Sequence, residues 1–263
     1  MPLSPELEAY QVSSPNISPK KSMIEVVSDP LAPDHMENSE SPAADSIKMS
    51  EYQEKMLFHY STGQFLANRD FTDVKLWSPY EAVISKQRCG RINFNGVPTL
   101  QLILWGRASL EGFCFMHGSL IVIEDKYVLL MGDSGAGKTT LSKLAVEMGY
   151  TCLTDENPYL HLNQEDVFVH STPWPGSLGP PKPRQGPLAA VCVVRHSSKN
   201  EIRKLSLKEA GRCLLHNSRT FNWLPETMPE AINVLDYVTR EVPVYDFGFL
   251  PSKSAVNTLR ERL

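Results

Sequence analysis

An α/β domain, a mixed sheet flanked by helices behind a disordered N-terminal tail, is the fold class that three observations predict. Tyr127 to Met131 is a short apolar run of strand length, residues 132–139 are rich in glycine, and Thr139 to Met148 carries apolar residues at helical spacing. A further apolar run, Tyr150 to Leu153, follows Gly149 and ends at an acidic pair, Asp155-Glu156. Residues 1–48 are dense in Pro, Ser, Asp and Glu, with repeated Ser-Pro steps at Ser14-Pro15, Ser18-Pro19 and Ser41-Pro42. Such a stretch cannot bury enough apolar surface to offset its ordering entropy. The reading is therefore a tail over 1–48 and a domain over 49–263, with a β-rich lead-in at 49–114 and a core at 115–263.

The central element is Gly132-Asp133-Ser134-Gly135-Ala136-Gly137-Lys138-Thr139-Thr140. It fits G-x-x-x-x-G-K-[ST], and the strand before it and the helix after it supply the context the pattern needs. Consecutive loop N–H groups and the positive end of the helix then point at one anion. Lys138 is placed to reach the terminal phosphates of a nucleotide, and the Thr139 hydroxyl to ligate Mg²⁺.

Asp155 and Glu156 join this site by arithmetic. A helix over 138–148 rises about 16 Å at 1.5 Å per residue, and five extended residues return about the same length. A β-α-β crossover thus brings the pair back to the sheet edge that carries the loop. One of Asp155 and Glu156 can then serve the metal beside Thr139 while the other accepts the proton of an attacking hydroxyl. His117 lies one hairpin before the loop and is a candidate catalytic residue with Asp155, Glu156 and Lys138. Lys182 and Arg184, in a Pro-rich loop over 173–187, are either solvated charges or cations able to close over phosphate.

Strands are expected also at Val74–Trp77, Arg91–Phe94, Phe113–Phe115, Leu120–Ile123, Tyr159–Leu162, Val167–His170, Leu188–Val194 and Val242–Phe249, with a turn at Glu124-Asp125-Lys126. Helices are expected at Glu51–Tyr60, Leu207–Asn217, Glu230–Arg240 and Ser252–Arg262. Leu100–Trp105 is a strand or the start of a buried helix.

Composition narrows the class. The chain is 41% apolar and 21% charged with a formal charge of −4, which gives no electrostatic reason for a nucleic-acid or membrane partner. Five scattered cysteines without a C-x-x-C pair argue for reduced thiols and a cytoplasmic setting. Asn-Lys-x-Asp and Leu-Ser-Gly-Gly are both missing, which argues against a guanine-specific GTPase and a transporter ATPase.

Several elements in order resemble HPr kinase/phosphorylase-like proteins, whose phosphate loop and sheet are related to those of phosphoenolpyruvate carboxykinase. They are His117-Gly118-Ser119, the loop itself, Gly149 to Glu156, Thr172-Pro173-Trp174-Pro175-Gly176, Pro187 to Val191, Leu205 to Ala210 and Val242 to Tyr245. The resemblance implies ATP and Mg²⁺ as cofactors and transfer of phosphate to a hydroxyl acceptor, on a peptide or a small molecule, with homo-oligomers possible. It also implies that His117 assists the site and that Asp155 supports metal and base. Two departures stand out. The second acidic position is Glu156 where the family usually has Asp, and no match exists for the N-terminal domain or the later phosphorolytic loop of the bacterial HPr-phosphorylating enzymes. HPr is therefore a poor choice of substrate.

Overall fold

The computed structural model describes residues 23–26, 47–60, 63–77, 98–163, 166–172, 174, 176–179, 182–221 and 223–263. The chain divides between Leu110 and Glu111 into two units.

The first unit holds strands β1 (Met23–Val26), β2 (Ile47–Tyr52), β3 (Lys55–Tyr60), β4 (Gly63–Ala67) and β5 (Asp73–Trp77), then helix α1 (Pro98–Leu110). β2 to β5 form an antiparallel meander, and β1 lies parallel to β5 at the edge. Met56, Phe58, Phe65, Val74 and Leu76 are buried at alternate positions, as one packed face of a pleated sheet requires. Phe58 and Phe65 stack at 4.5 Å, with Phe71 at 6.0 Å from Phe58.

One expectation changes here and one reading left open is decided. Glu51–Tyr60 is a hairpin and not a helix: Gln53 and Glu54 form its two-residue turn, with φ of 48° and 63°. Paired positive φ is the hairpin geometry usually marked by Asn-Gly, and the Gln-Glu pair hides it. Leu100–Trp105, left open by its pattern, is the first half of α1, which is longer than most strands and has Pro98 at its first position. Within the stretch read as a tail, Met23–Val26 is a strand. The rest of residues 1–46 and the strand expected at Arg91–Phe94 lie outside the described residues.

The second unit runs β6 (Cys114–Met116), β7 (Gly118–Ile123), β8 (Lys126–Met131), α2 (Lys138–Glu147), β9 (Thr151–Thr154), β10 (Tyr159–Asn163), β11 (Asp166–His170), β12 (Gln185–His196), β13 (Glu201–Lys204), α3 (Leu207–Asn217), β14 (Ser218–Arg219), α4 (Met228–Glu241), β15 (Val244–Phe249) and α5 (Lys253–Arg260). Its sheet is mixed, in the order β14-β6-β10-β11-β12-β8-β7-β9, with β15 along the second half of β12 and β13 beyond it. β12 is the seam. Its first residues pair antiparallel with β11, and the rest runs parallel to both β8 and β15. The register shifts between Leu188 and Ala190, just after Pro187, where a proline is tolerated because the ladder is already irregular.

The apolar runs are continuous because both faces of the sheet are covered. Leu120, Val122, Leu129 and Val191 face a core closed by Ala210 and Leu214 of α3 and Ala231, Val234 and Val238 of α4. Ile121, Val128, Leu130, Ala190 and Cys192 face the opposite core, closed by Leu141 and Ala145 of α2 and Ala255, Val256 and Leu259 of α5. Each buried Val, Leu or Ile among them stabilises the fold by about 1.5–3 kcal/mol relative to exposure. Helix α3 starts on a capping box, Ser206 accepting from the Glu209 amide while the Glu209 carboxylate accepts from the Ser206 amide. β13 and β14 were not legible in the sequence, being four and two residues long.

Among the described residues no helix is long and apolar enough to cross a membrane. Cys114, Cys152, Cys192 and Cys213 are free thiols, and burial pushes those of Cys114 and Cys192 up to about 12.

Candidate functional site: a glycine-rich loop beside an acidic strand end

Sheet register gathers the site. β7 lies between β8 and β9 and is antiparallel to both, so β8 and β9 run parallel with one strand separating them. Met131, the last residue of β8, pairs with Gly118, and Thr154, the last of β9, pairs with Leu120. The loop leaving Met131, the pair Asp155-Glu156 leaving Thr154, and His117 preceding Gly118 therefore share one edge of the sheet.

The loop has the backbone that its glycines permit. Gly137 sits at φ 102°, and a Cβ there would lie 2.7 Å from the buried Phe249 ring. Helix α2 begins at Lys138 with no side-chain cap and no acidic residue in its first turn, in contrast to the capped start of α3. The first amides of any helix have no intrahelical acceptor, so an uncapped start of this kind suits an anion. Ser134 and Gly135 are exposed, while Ala136, Thr139 and Thr140 are half-buried along the loop and the first turn. The Ala136 amide donates to the Asp133 carbonyl at 3.1 Å, and His196 Nε2 lies 2.9 Å from the Gly135 carbonyl.

Lys138 Nζ donates to the carbonyls of Gly132 at 2.6 Å and Asp133 at 3.0 Å, so the ammonium is folded over the loop. Burial lowers its pKa, Glu156 and Asp133 oppose that, and Arg219 adds to it. Burial also raises the Glu156 carboxyl, chiefly with the help of neighbouring Asp155 and against Arg219 and Lys138. The Asp155 carboxylate is differently occupied: it accepts from the Ser177 hydroxyl at 2.6 Å and the Ser177 amide at 2.9 Å. The two carboxylates thus diverge, Glu156 acting on the loop lysine and Asp155 holding a serine.

His117 Nδ1 lies 3.3 Å from the Arg219 guanidinium. Since Arg can only donate, Nδ1 is the acceptor and the ring proton of neutral His117 is on Nε2. Burial lowers its pKa, with Lys138 and Arg219 adding to the effect and Asp133 opposing it, which favours the neutral ring.

Two residues escaped the sequence reading. Arg219, on the short strand β14 that pairs with β6, acts on His117, Lys138 and Glu156 together. Asn217, buried at the end of α3, accepts from the Gly132 amide through Oδ1 at 3.2 Å, donates to the Cys213 carbonyl at 2.9 Å, and accepts from the His117 amide through its own carbonyl at 2.7 Å. Next to it, His216 Nε2 lies 3.1 Å from the Asp133 carboxylate. No motif marks the Asn217-Ser218-Arg219 step; only folding α3 against the loop reveals it. Asn217→Ala leaves the Gly132 amide without its acceptor, and the expected loss is about 1–3 kcal/mol of stability in urea melts. Asn217→Asp keeps the acceptor but sets a buried carboxylate oxygen against the Cys213 carbonyl, so it is expected to lose at least as much.

Arg184 does not join the site. It stacks on Tyr127 at 5.7 Å and pairs with Asp125 at 3.7 Å, at the start of β8. The loop leaves the other end of that strand, about 16 Å away at 3.3 Å per residue. His170 is buried and His161 half-buried against Phe113 and Tyr159, and burial holds His170 down to about 3.

Among the described residues no cluster of three or more His, Cys, Asp or Glu side chains is arranged for a metal ion. A cation here would instead be shared between a loop hydroxyl, a strand-end carboxylate and the phosphates it accompanies, which the uncapped loop and the Thr139 hydroxyl can accommodate.

No family model and no curated protein matches the chain in sequence. Among solved structures, the Hpr(Ser) kinase/phosphatase from Coxiella burnetii is similar at a TM-score of 0.35 and 12% identity, covering 56% of this chain and 93% of that one. At that level of similarity the site's own residues have to carry any functional reading.

Proposed function

We propose that this chain is a kinase of the HPr kinase/phosphorylase type that binds ATP with Mg²⁺ at residues 132–140 and transfers the γ-phosphate to a hydroxyl. The observation that carries the reading is the juxtaposition of Lys138, folded over an uncapped phosphate loop, with two carboxylates and a neutral histidine on one sheet edge.

Phosphoryl transfer asks a protein mainly for position and charge. Lys138 and the loop amides bind the phosphates, and Arg219 adds positive charge where the γ-phosphate would lie. His117, through Nε2–H, donates a hydrogen bond to a phosphate oxygen. Asp155, which already holds a hydroxyl at 2.6 Å, takes the acceptor's proton. Thr139 and Glu156 would hold a magnesium ion, which would supply charge neutralisation on the phosphates. This assignment gives the base role to Asp155 and the metal-facing role to Glu156, where the sequence left the base open between them and the family resemblance implied Asp155 for both.

A sensor that binds ATP without using it needs no base, and the Ser177 hydroxyl on Asp155 favours catalysis over that alternative. The deciding experiment is incubation of the purified chain with γ-labelled ATP, Mg²⁺ and size-fractionated cell extract. Label on a hydroxyl-bearing acceptor is expected. Nucleotide binding with no labelled acceptor and no label on the chain would make it a sensor, and phosphate release indifferent to added hydroxyl compounds would make it a hydrolase.

A further inference from the structure

The turn at Gly176–Gly179 is held against the acidic strand end by contacts distant in sequence. The Thr172 hydroxyl donates to the Glu156 carbonyl at 2.9 Å, the Lys182 amide donates to the Leu153 carbonyl at 2.9 Å, and Trp174 is buried between them in sequence. Gly176 and Gly179 close the turn through a β-bridge, and Ser177 at its tip is exposed. A side chain on Gly176 would run into the Asp155 carboxylate, so glycine is what lets the turn approach this closely. The result is one serine hydroxyl, 2.6 Å from the Asp155 carboxylate, with its amide donating to the same oxygen.

Solvent exposure, a glycine-flanked turn and a short hydrogen bond into a carboxylate at the edge of a phosphate loop describe an acceptor poised before transfer. We propose that Ser177 is an intramolecular phosphate acceptor, modified in cis by nucleoside triphosphate bound at the loop; the proposal rests on the kinase reading above. In the step, Ser177 Oγ forms a bond to the γ-phosphorus as the bond from that phosphorus to the β–γ bridging oxygen breaks. The proton on Oγ passes to the Asp155 carboxylate, and nucleoside diphosphate leaves. The product carries a dianionic group beside the Asp155-Glu156 pair, and like-charge repulsion then drives the turn away from the strand end.

The test uses the full chain with γ-labelled ATP and Mg²⁺, phosphosite mapping by mass spectrometry, and binding of a fluorescent ATP analogue in parallel. The expected result is phosphoserine at 177, formed at a first-order rate that does not change with protein concentration. Ser177→Ala is expected to lose the label and Ser177→Thr to regain it as phosphothreonine. Asp155→Asn is expected to slow labelling by roughly 10²–10⁴-fold, the size of a general-base contribution. A chain that binds the analogue and labels added acceptors while residue 177 stays unmodified overturns the Ser177 proposal and leaves the kinase reading in place. Labelling whose rate rises with protein concentration overturns transfer in cis. A chain that does not bind the analogue overturns both.

Discussion

Lys138→Ala is expected to cut phosphate transfer by about 10²–10³-fold, the usual cost of removing one donor aimed at developing charge, while the chain stays folded. The two outcomes separate because of where the side chain sits. Lys138 Nζ bonds only backbone carbonyls of its own loop, Gly132 and Asp133, and contributes nothing to either core. Alanine is also the best helix former at the start of α2. A second effect travels with the first. The lysine holds down the pKa of Glu156, which burial raises, so its removal lets that carboxyl rise further. The acidic limb of any residual activity should shift to higher pH, since Glu156 then becomes ionised only at higher pH. Transfer assays across pH, with thermal melts as the control for folding, check both statements. A variant with wild-type transfer removes the phosphate loop from the mechanism.

Gly137→Ala is expected to be worse for the fold than for any single contact, costing about 2–5 kcal/mol. Its φ of 102° is a conformation that a Cβ penalises. Space is the larger obstacle. The added methyl would lie 2.7 Å from Phe249 Cζ and 3.2 Å from His196 Cε1. Phe249 is fully buried and packs on Phe247 at 5.8 Å, so its ring has nowhere to go. The start of α2 must shift instead, and with it the amides proposed to face the anion. The expected readouts are a lower urea midpoint and loss of fluorescent-nucleotide binding together. An unchanged midpoint would show that the β15–α2 contact is softer than its packing implies.

The elements that sequence located best are those whose burial pattern is local. β8, α2 and β9 follow one another with strand, helix and strand periods, and α3 coincides with the expected Leu207–Asn217 because its capping box and amphipathic spacing are both written in consecutive residues. Misreadings cluster where the deciding partner is remote. Glu51–Tyr60 carries good helix formers, yet its Met56 and Phe58 are claimed by the sheet of the first unit and its turn uses positive φ without glycine. Arg184, open in the sequence between a solvated charge and a cation for phosphate, is tied just before β12 to Tyr127 and Asp125.

Alone, the amino-acid sequence determined a strand, a glycine loop, a helix and a returning acidic strand, because each is set by neighbours within a few residues and by chain lengths that can be added up. It could not reveal that β7 would insert between β8 and β9, that Asn217 and Arg219 would be carried in from the end of α3, or that Ser177 would occupy Asp155. Those are contacts between segments 22 to 102 residues apart, and they exist only because two helical layers and a shared sheet edge bury the same side chains at once.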